Sequence, residues 1–169
     1  MRQSPRRRRP SLALAVALAA APAQVATPAA AQDLAQALTP HVIDGDSLRL
    51  GGKTYRLHGI DAPDPAQVCA DGWPAGSEAE AYLGELVAGR SVTCTPLGLP
   101  LEGEMEAVCR ADGVDLAAAM VTGGRAFAYI PKSARYVSQE AAAAGARRGL
   151  HAHLCAPPWQ WRAERGNAR

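Results

Sequence analysis

Between residues 41 and 60, apolar side chains fall at alternate positions on either side of a glycine pair: Leu48 and Leu50 before Gly51 and Gly52, Tyr55 and Leu57 after. A period of two around a Gly-Gly dipeptide is a hairpin pattern, because such turns need positive φ at both central residues and glycine adopts it without strain. A chain that begins its folded part with a hairpin must bury one face of it. The remainder supplies what covers that face. Ser77 with Glu80 three residues on predicts a capping box and a helix presenting Tyr82, Leu83, Leu86 and Val87, stopped at Gly89. Residues 91–95 and 105–110 read as two further strands joined by a loop over 96–104. Asp115 caps a short helix running to Val121, residues 125–130 are extended, and residues 133–148 form an alanine-rich helix ended by Gly149. Strands come first and helices interleave with short connections. The expected class is α+β, with a small barrel preferred to a parallel sheet.

The 169 residues suffice for one domain and not for two large ones. A hydrophobic fraction of 48% excludes a disordered chain, and one Phe in the whole sequence makes the core aliphatic. The first 31 residues read as a cleaved export signal: Arg6 to Arg9, an apolar run from Leu12 to Ala21, and Ala29 and Ala31 before Gln32. The expected location is therefore outside the cytoplasm, periplasmic or secreted. No apolar run near 20 residues follows, so no membrane span is expected in the mature chain. The signal holds five arginines and no acid, so the rest carries 13 basic and 16 acidic residues, a net charge of −3 against +2 for the full sequence. A protein that grips a phosphate backbone non-specifically usually shows a basic face, and this chain does not advertise one. Cys69, Cys94, Cys109 and Cys155 are even in number and lack C-x-x-C spacing, which favours two disulfides over a zinc site. His151 and His153 read as surface histidines of the tail.

Residues 41–64, HVIDGDSLRLGGKTYRLHGIDAPD, carry a D-G-D-S turn, a strand with R-L, and G-I-D-A-P followed by an acid. Gly113, Asp115 and Leu116 give G-x-D-L, Tyr136, Glu140 and the run Arg148, Gly149, Leu150 follow, and Pro158, Trp161 and Arg162 close with P-x-x-W-R. In this set and order the chain resembles the thermonuclease, or staphylococcal-nuclease-like, family over residues 41–162. Residues 32–40 are then a lead-in and 163–169 a tail. The resemblance implies an OB-type five-stranded barrel with three helices and Ca²⁺-dependent hydrolysis of DNA or RNA phosphodiesters. It implies Asp46 and Asp61 as the calcium carboxylates, Asp44 as a brace of the turn, Arg56 as the first phosphate-binding arginine, and Asp64 at the place of the catalytic glutamate.

Two departures bear on chemistry. Asp64 is one methylene shorter than Glu, which withdraws its oxygens by roughly 1.5 Å, and a misplacement near 1 Å can cost on the order of 10²-fold in rate. The family's loop between the positions of Cys94 and Cys109 reads D-x-Y-G-R, whereas this chain has Pro100, Leu101, Glu102, Gly103 and Glu104. The second phosphate-binding arginine is thus replaced by Glu104, and its tyrosine by Glu102. No spacing argument recommends Arg49, Arg90, Arg110 or Arg125 as a substitute. The expectation is an exported member that keeps the fold and a cation site but is catalytically impaired. An active nuclease with an altered mechanism, in which a second divalent ion replaces the lost arginine, and a partner-binding domain stay open beside it. The nucleic-acid partner implied by resemblance is weakened by the same acids; a protein partner stays open, and a monomer is expected. Cys94 and Cys109 fall on two strands of one hairpin and are expected to pair. Family members often pair the position of Cys69 with a Cys-Gly close by, where this chain has Ala75 and Gly76, which leaves Cys69 for Cys155.

Overall fold

The computed structural model describes residues 39–166; the expected signal over 1–31, most of the lead-in and the last three residues lie outside the described residues. The class is α+β. The hairpin forms where the alternation requires it, β2 (Ser47–Leu50) against β3 (Lys53–Leu57), with Gly51 and Gly52 both at positive φ. The short β1 (His41–Val42) pairs antiparallel with β2, and β4 (Ile60–Asp61) follows β3 after a turn. Further along, β5 (Val92–Pro96) and β6 (Glu104–Ala111) form the second hairpin, and β7 (Val114–Asp115) adds to β6. The two hairpins join through a parallel pairing of β3 with β6, which gives the order β1-β2-β3-β6-β5. The strand β8 (Phe127–Ala128) pairs only with β4, apart from this sheet. Among the described residues no ladder joins β1 to β5, so the sheet is open along its pairing path and not a closed ring.

Four α-helices cover the strands among the described residues, one more than expected: α1 (Ala75–Val87), α2 (Leu116–Thr122), α3 (Val137–Gly145) and α4 (Pro158–Glu164). Asp115 caps α2 as read, its carboxylate accepting from the Ala118 N–H at 3.1 Å. The predicted box at Ser77 is not used. Helix α1 starts two residues earlier, behind Pro74, with no side-chain cap. The reason is packing: a Cβ on Gly76 would meet the Asp64 carbonyl oxygen at 2.1 Å, so the first turn of α1 is pressed against the loop after β4. Helix α3 is shorter than the 133–148 expected, because Tyr136 leaves the helical path to bury its ring and donate to the Asp115 carboxylate, and a 3₁₀ turn (Gly149–His151) follows the helix. Of the expected 125–130 strand only residues 127–128 form a ladder, extended by the Tyr129 N–H donating to the Gly59 carbonyl at 2.9 Å. The segment after Pro157, for which the sequence pattern predicts no element, is helix α4, and Pro158 at its start is the signal that marks it.

The core is aliphatic, as the composition requires. Leu48, Leu57, Leu83, Leu116, Met120 and Val121 are buried between the sheet and helices α1 and α2. A smaller cluster of Cys69, Ala75, Phe127 and Leu150, with Trp73 and Trp159 against it, lies under the C-terminal segment. The disulfides are Cys94–Cys109, across β5 and β6, and Cys69–Cys155, between the loop after β4 and the approach to α4. No helix among the described residues is long and apolar enough to cross a membrane.

Candidate functional site

The D-G-D turn is shaped by contact with α1. A Cβ on Gly45 would lie 2.6 Å from that of Ala79 and 2.8 Å from that of Ala62, so only glycine lets the turn sit down there. Asp44 braces it, accepting the Asp46 N–H at 3.0 Å. Asp46 is thereby held at the start of β2, 2% exposed. Its Oδ2 accepts from Arg56 Nη2 at 2.8 Å and from the Ala62 N–H at 3.1 Å, and its Oδ1 from the Ser47 hydroxyl at 3.2 Å. Arg56 reaches it from the neighbouring strand, where Ser47 and Arg56 are in register. Asp61, 3% exposed at the end of β4, lies on the other side of the same guanidinium, its Oδ1 3.5 Å from Arg56 Nη2.

Arg162 completes the cluster, and reading the sequence for site residues missed it. It projects from α4, with Nη2 donating to Asp61 Oδ2 at 2.5 Å and Nη1 donating to Asp64 Oδ2 at 2.9 Å. Its two nitrogens thus straddle two carboxylates that the sequence places 98 and 101 residues away. A signal for it was present: Cys69 follows Asp64 by five positions and Cys155 precedes Arg162 by seven, so pairing those cysteines brings the last helix to the loop after β4. Arg49, Arg90, Arg110 and Arg125 do not line this site; Arg125 lies instead across Trp73 and Tyr82 and pairs with Glu78 at 3.4 Å.

Three carboxylates and two guanidiniums therefore share one largely buried cluster. Burial pushes Asp46 up to about 7 against the pull of Arg56, with the charges of Asp44 and Asp61 adding to the rise. Burial likewise raises Asp61, opposed by Arg162 and then Arg56. Burial would lower Arg162, but its hydrogen bonds to Asp61 and Asp64 prevail and hold it above its ordinary value. The other motif residues serve the fold. Tyr136 bonds Asp115 and is pushed up to about 12, by burial first and then by that carboxylate, while Glu140 accepts the Ala128 N–H and Arg148 donates to the Thr122 carbonyl.

The cluster forms part of the floor of an open groove of about 880 Å³. Glu102 and Glu104 line that groove, beside Glu106 and Lys132, so both acids face the same space as Arg56, Asp61 and Arg162. Lys132 Nζ pairs with Glu106 at 3.1 Å, whereas neither Glu102 nor Glu104 is ion-paired among the described residues. The loop ends in a two-residue turn in which Glu102 (φ 52) and Gly103 (φ 88) are both left-handed, closed by paired backbone bonds between Leu101 and Glu104. His153 is not a free tail histidine: it stacks on Trp73 and bonds Asp71 at 2.8 Å, and that bond leads the lowering of the Asp71 carboxyl. His151 is half-buried, edge-on to Phe127.

A calcium ion would have to be held here by Asp46 and Asp61. One observation suits it: Asp61 Oδ1 is buried without a hydrogen-bond partner and Asp61 lines the groove. Another limits it, since no group of three metal-ligating side chains is present among the described residues. A cation at this place draws on two carboxylates, with backbone and water supplying the rest of the six to eight oxygens calcium takes.

No family model matches the chain. Over 91 residues it is 34% identical to a protein of Rhizobium meliloti (strain 1021) described as succinoglycan biosynthesis protein ExoI, an alignment covering 50% of this chain and 48% of that protein. The chain thus spans about half the length of the curated relative it matches.

Proposed function

We propose that this is an exported domain of the thermonuclease-like kind, an OB-type barrel left partly open, that keeps the groove and a weak calcium site but hydrolyses DNA and RNA poorly or not at all. The strand order β1-β2-β3-β6-β5 and the two disulfides support the fold and the export. The observation that carries the functional reading is the charge arrangement of the groove. Both guanidiniums of its floor are already bonded to Asp46, Asp61 and Asp64, while Glu102 and Glu104 add negative charge where a phosphodiester would approach. Loss of one preorganised donor at a reacting oxyanion costs about 10² to 10³ in rate, and a carboxylate in its place also repels the substrate.

Calcium, when bound, would supply a Lewis acid for a phosphoryl oxygen. The protein's own part would be the fork of Arg56 on the phosphate and the carboxylate of Asp64 on a water. Asp64, held by Arg162, is not positioned to do this without that arginine turning away. The digestion of DNA and RNA by the purified protein with Ca²⁺, Mg²⁺ or Mn²⁺, beside Glu104→Arg, Asp64→Glu and their combination, tests the reading. It predicts cutting only in the combined variant. Robust cutting by the parent, abolished in Asp46→Ala, overturns it. Calorimetric titration with Ca²⁺ tests the cation site, and no heat above that of Asp61→Asn removes it.

Arg162 favours a second reading, an active nuclease of changed mechanism. It stands beside Arg56 across Asp61 and so occupies part of the role left open at Glu104. In that case Arg162→Lys lowers the parent's cutting rate by about 10²-fold, the order expected for losing a bidentate fork at a phosphate.

A further inference from the structure

We propose that the lip of the groove docks a polypeptide segment carrying Lys or Arg among apolar side chains. The inference rests on the reading above to the extent that the same groove does not take a phosphodiester. Three leucines alternate along the loop between β5 and β6, Leu97, Leu99 and Leu101, exposed by 51%, 91% and 77%. They line the groove, and Ile43, 37% exposed, lines it too. Scattered exposed leucines are ordinary, but a contiguous apolar lip on an open groove marks a contact surface. The lip is also held in place. The Cys94–Cys109 bond ties its base, the Leu97 N–H donates to the Glu106 carbonyl at 2.8 Å, and the backbones of Leu101 and Glu104 bond each other.

The charge of this surface chooses the partner. Lys132 is answered by Glu106, and Arg56 and Arg162 by the aspartates of the floor, so Glu102 and Glu104 are the acids left over, next to the leucines. Glu102 holds its place in a left-handed backbone conformation that Asn or Gly adopts more easily, so the turn carries an acid where turn chemistry does not ask for one. Two unanswered carboxylates flanked by leucines complement a segment whose basic residues alternate with apolar ones. A nucleic acid brings its phosphates against both carboxylates and meets repulsion there.

The test is fluorescence anisotropy of a short labelled peptide alternating Lys and Leu, titrated with the purified protein. The same peptide with Glu for Lys, a single-stranded oligonucleotide and spermine serve as competitors. The expected result is saturable binding of the basic peptide, weakened about tenfold by Glu102→Lys with Glu104→Lys and about tenfold by Leu99→Ser with Leu101→Ser. Glu85→Lys, an exposed charge on α1 away from the groove, leaves it unchanged. All four lip positions are partly or fully exposed, and near-ultraviolet circular dichroism confirms that the variants are folded. Binding indifferent to either pair, equal competition by spermine, or preference for the oligonucleotide or the acidic peptide overturns the proposal. Digestion is measured on the same samples. Absence of peptide binding in a protein that does not cut overturns this inference alone, and cutting together with oligonucleotide preference overturns both.

Discussion

The floor and the lip of the groove solve opposite problems with the same residue types. In the floor, Asp46, Asp61 and Asp64 are shielded from solvent and each is bonded to a guanidinium. At the lip, Glu102 is exposed and Glu104 half-buried, and neither carboxylate has an ion-pair partner among the described residues. A buried carboxylate must be answered by a partner because desolvation is costly, whereas an exposed one is answered by water. Acids in the floor are therefore tied to the protein's own cations, and acids at the lip are open to whatever arrives from outside.

Substitutions can break that division, and the largest effects belong to the covalent ties. Cys69–Cys155 closes 86 residues and straps the floor, and Cys94–Cys109 closes 15 and clamps the lip. Replacing each pair by serine should cost about 4.6 and about 3 kcal/mol respectively by loop-closure entropy, read by denaturant unfolding; equal costs would argue that entropy is not what separates them. Next, Arg162→Met should destabilise by about 3 kcal/mol, since it removes the guanidinium that Asp61 and Asp64 share in a largely buried cluster. The same measurement on Glu102→Arg, at an exposed position of the lip, should stay within about 0.5 kcal/mol, as for exposed sites generally. If the two variants lose similar amounts, the contrast between floor and lip is wrong.

A subtler effect concerns pH. Asp46 has its folded value raised to about 7 from an unfolded value of 3.8, so between these values the native state holds the extra proton. Its contribution is fully present at low pH and is lost as pH rises toward about 7. With chelator present, the parent should lose stability over that window relative to Asp46→Asn, measured as the difference between two melting-temperature profiles; a parallel pair of profiles would place the titration elsewhere. Glu102→Gln should leave the profile unaltered.

Legibility in the sequence followed the same line between local and distant. The β2–β3 hairpin, the strands of the second hairpin and the cap at Asp115 rest on neighbours a few residues apart, and alternation, turn glycines and a capping side chain announce them. The start of α1 was misread because Ser77 and Glu80 form a good local box, and what overrules it is the Asp64 backbone lying against Gly76. Helix α4 was missed because its single buried charged residue, Arg162, has no apolar stripe to advertise it, only Pro158 at the first position. Asp46, Arg56 and Asp61 came from one continuous motif and meet in space. Arg162 came from the far end of the chain and could be placed only through the cysteine pairing. The parallel contact of β3 with β6, which turns two hairpins into one sheet, likewise has no local signature.

That span between Asp61 and Arg162 also makes the middle of the chain depend on its end. A fragment that stops before α4 would still contain both hairpins and the first three helices, yet it would lack the guanidinium that Asp61 and Asp64 share. The last helix therefore acts as a latch, and a truncated domain should be the easier one to unfold.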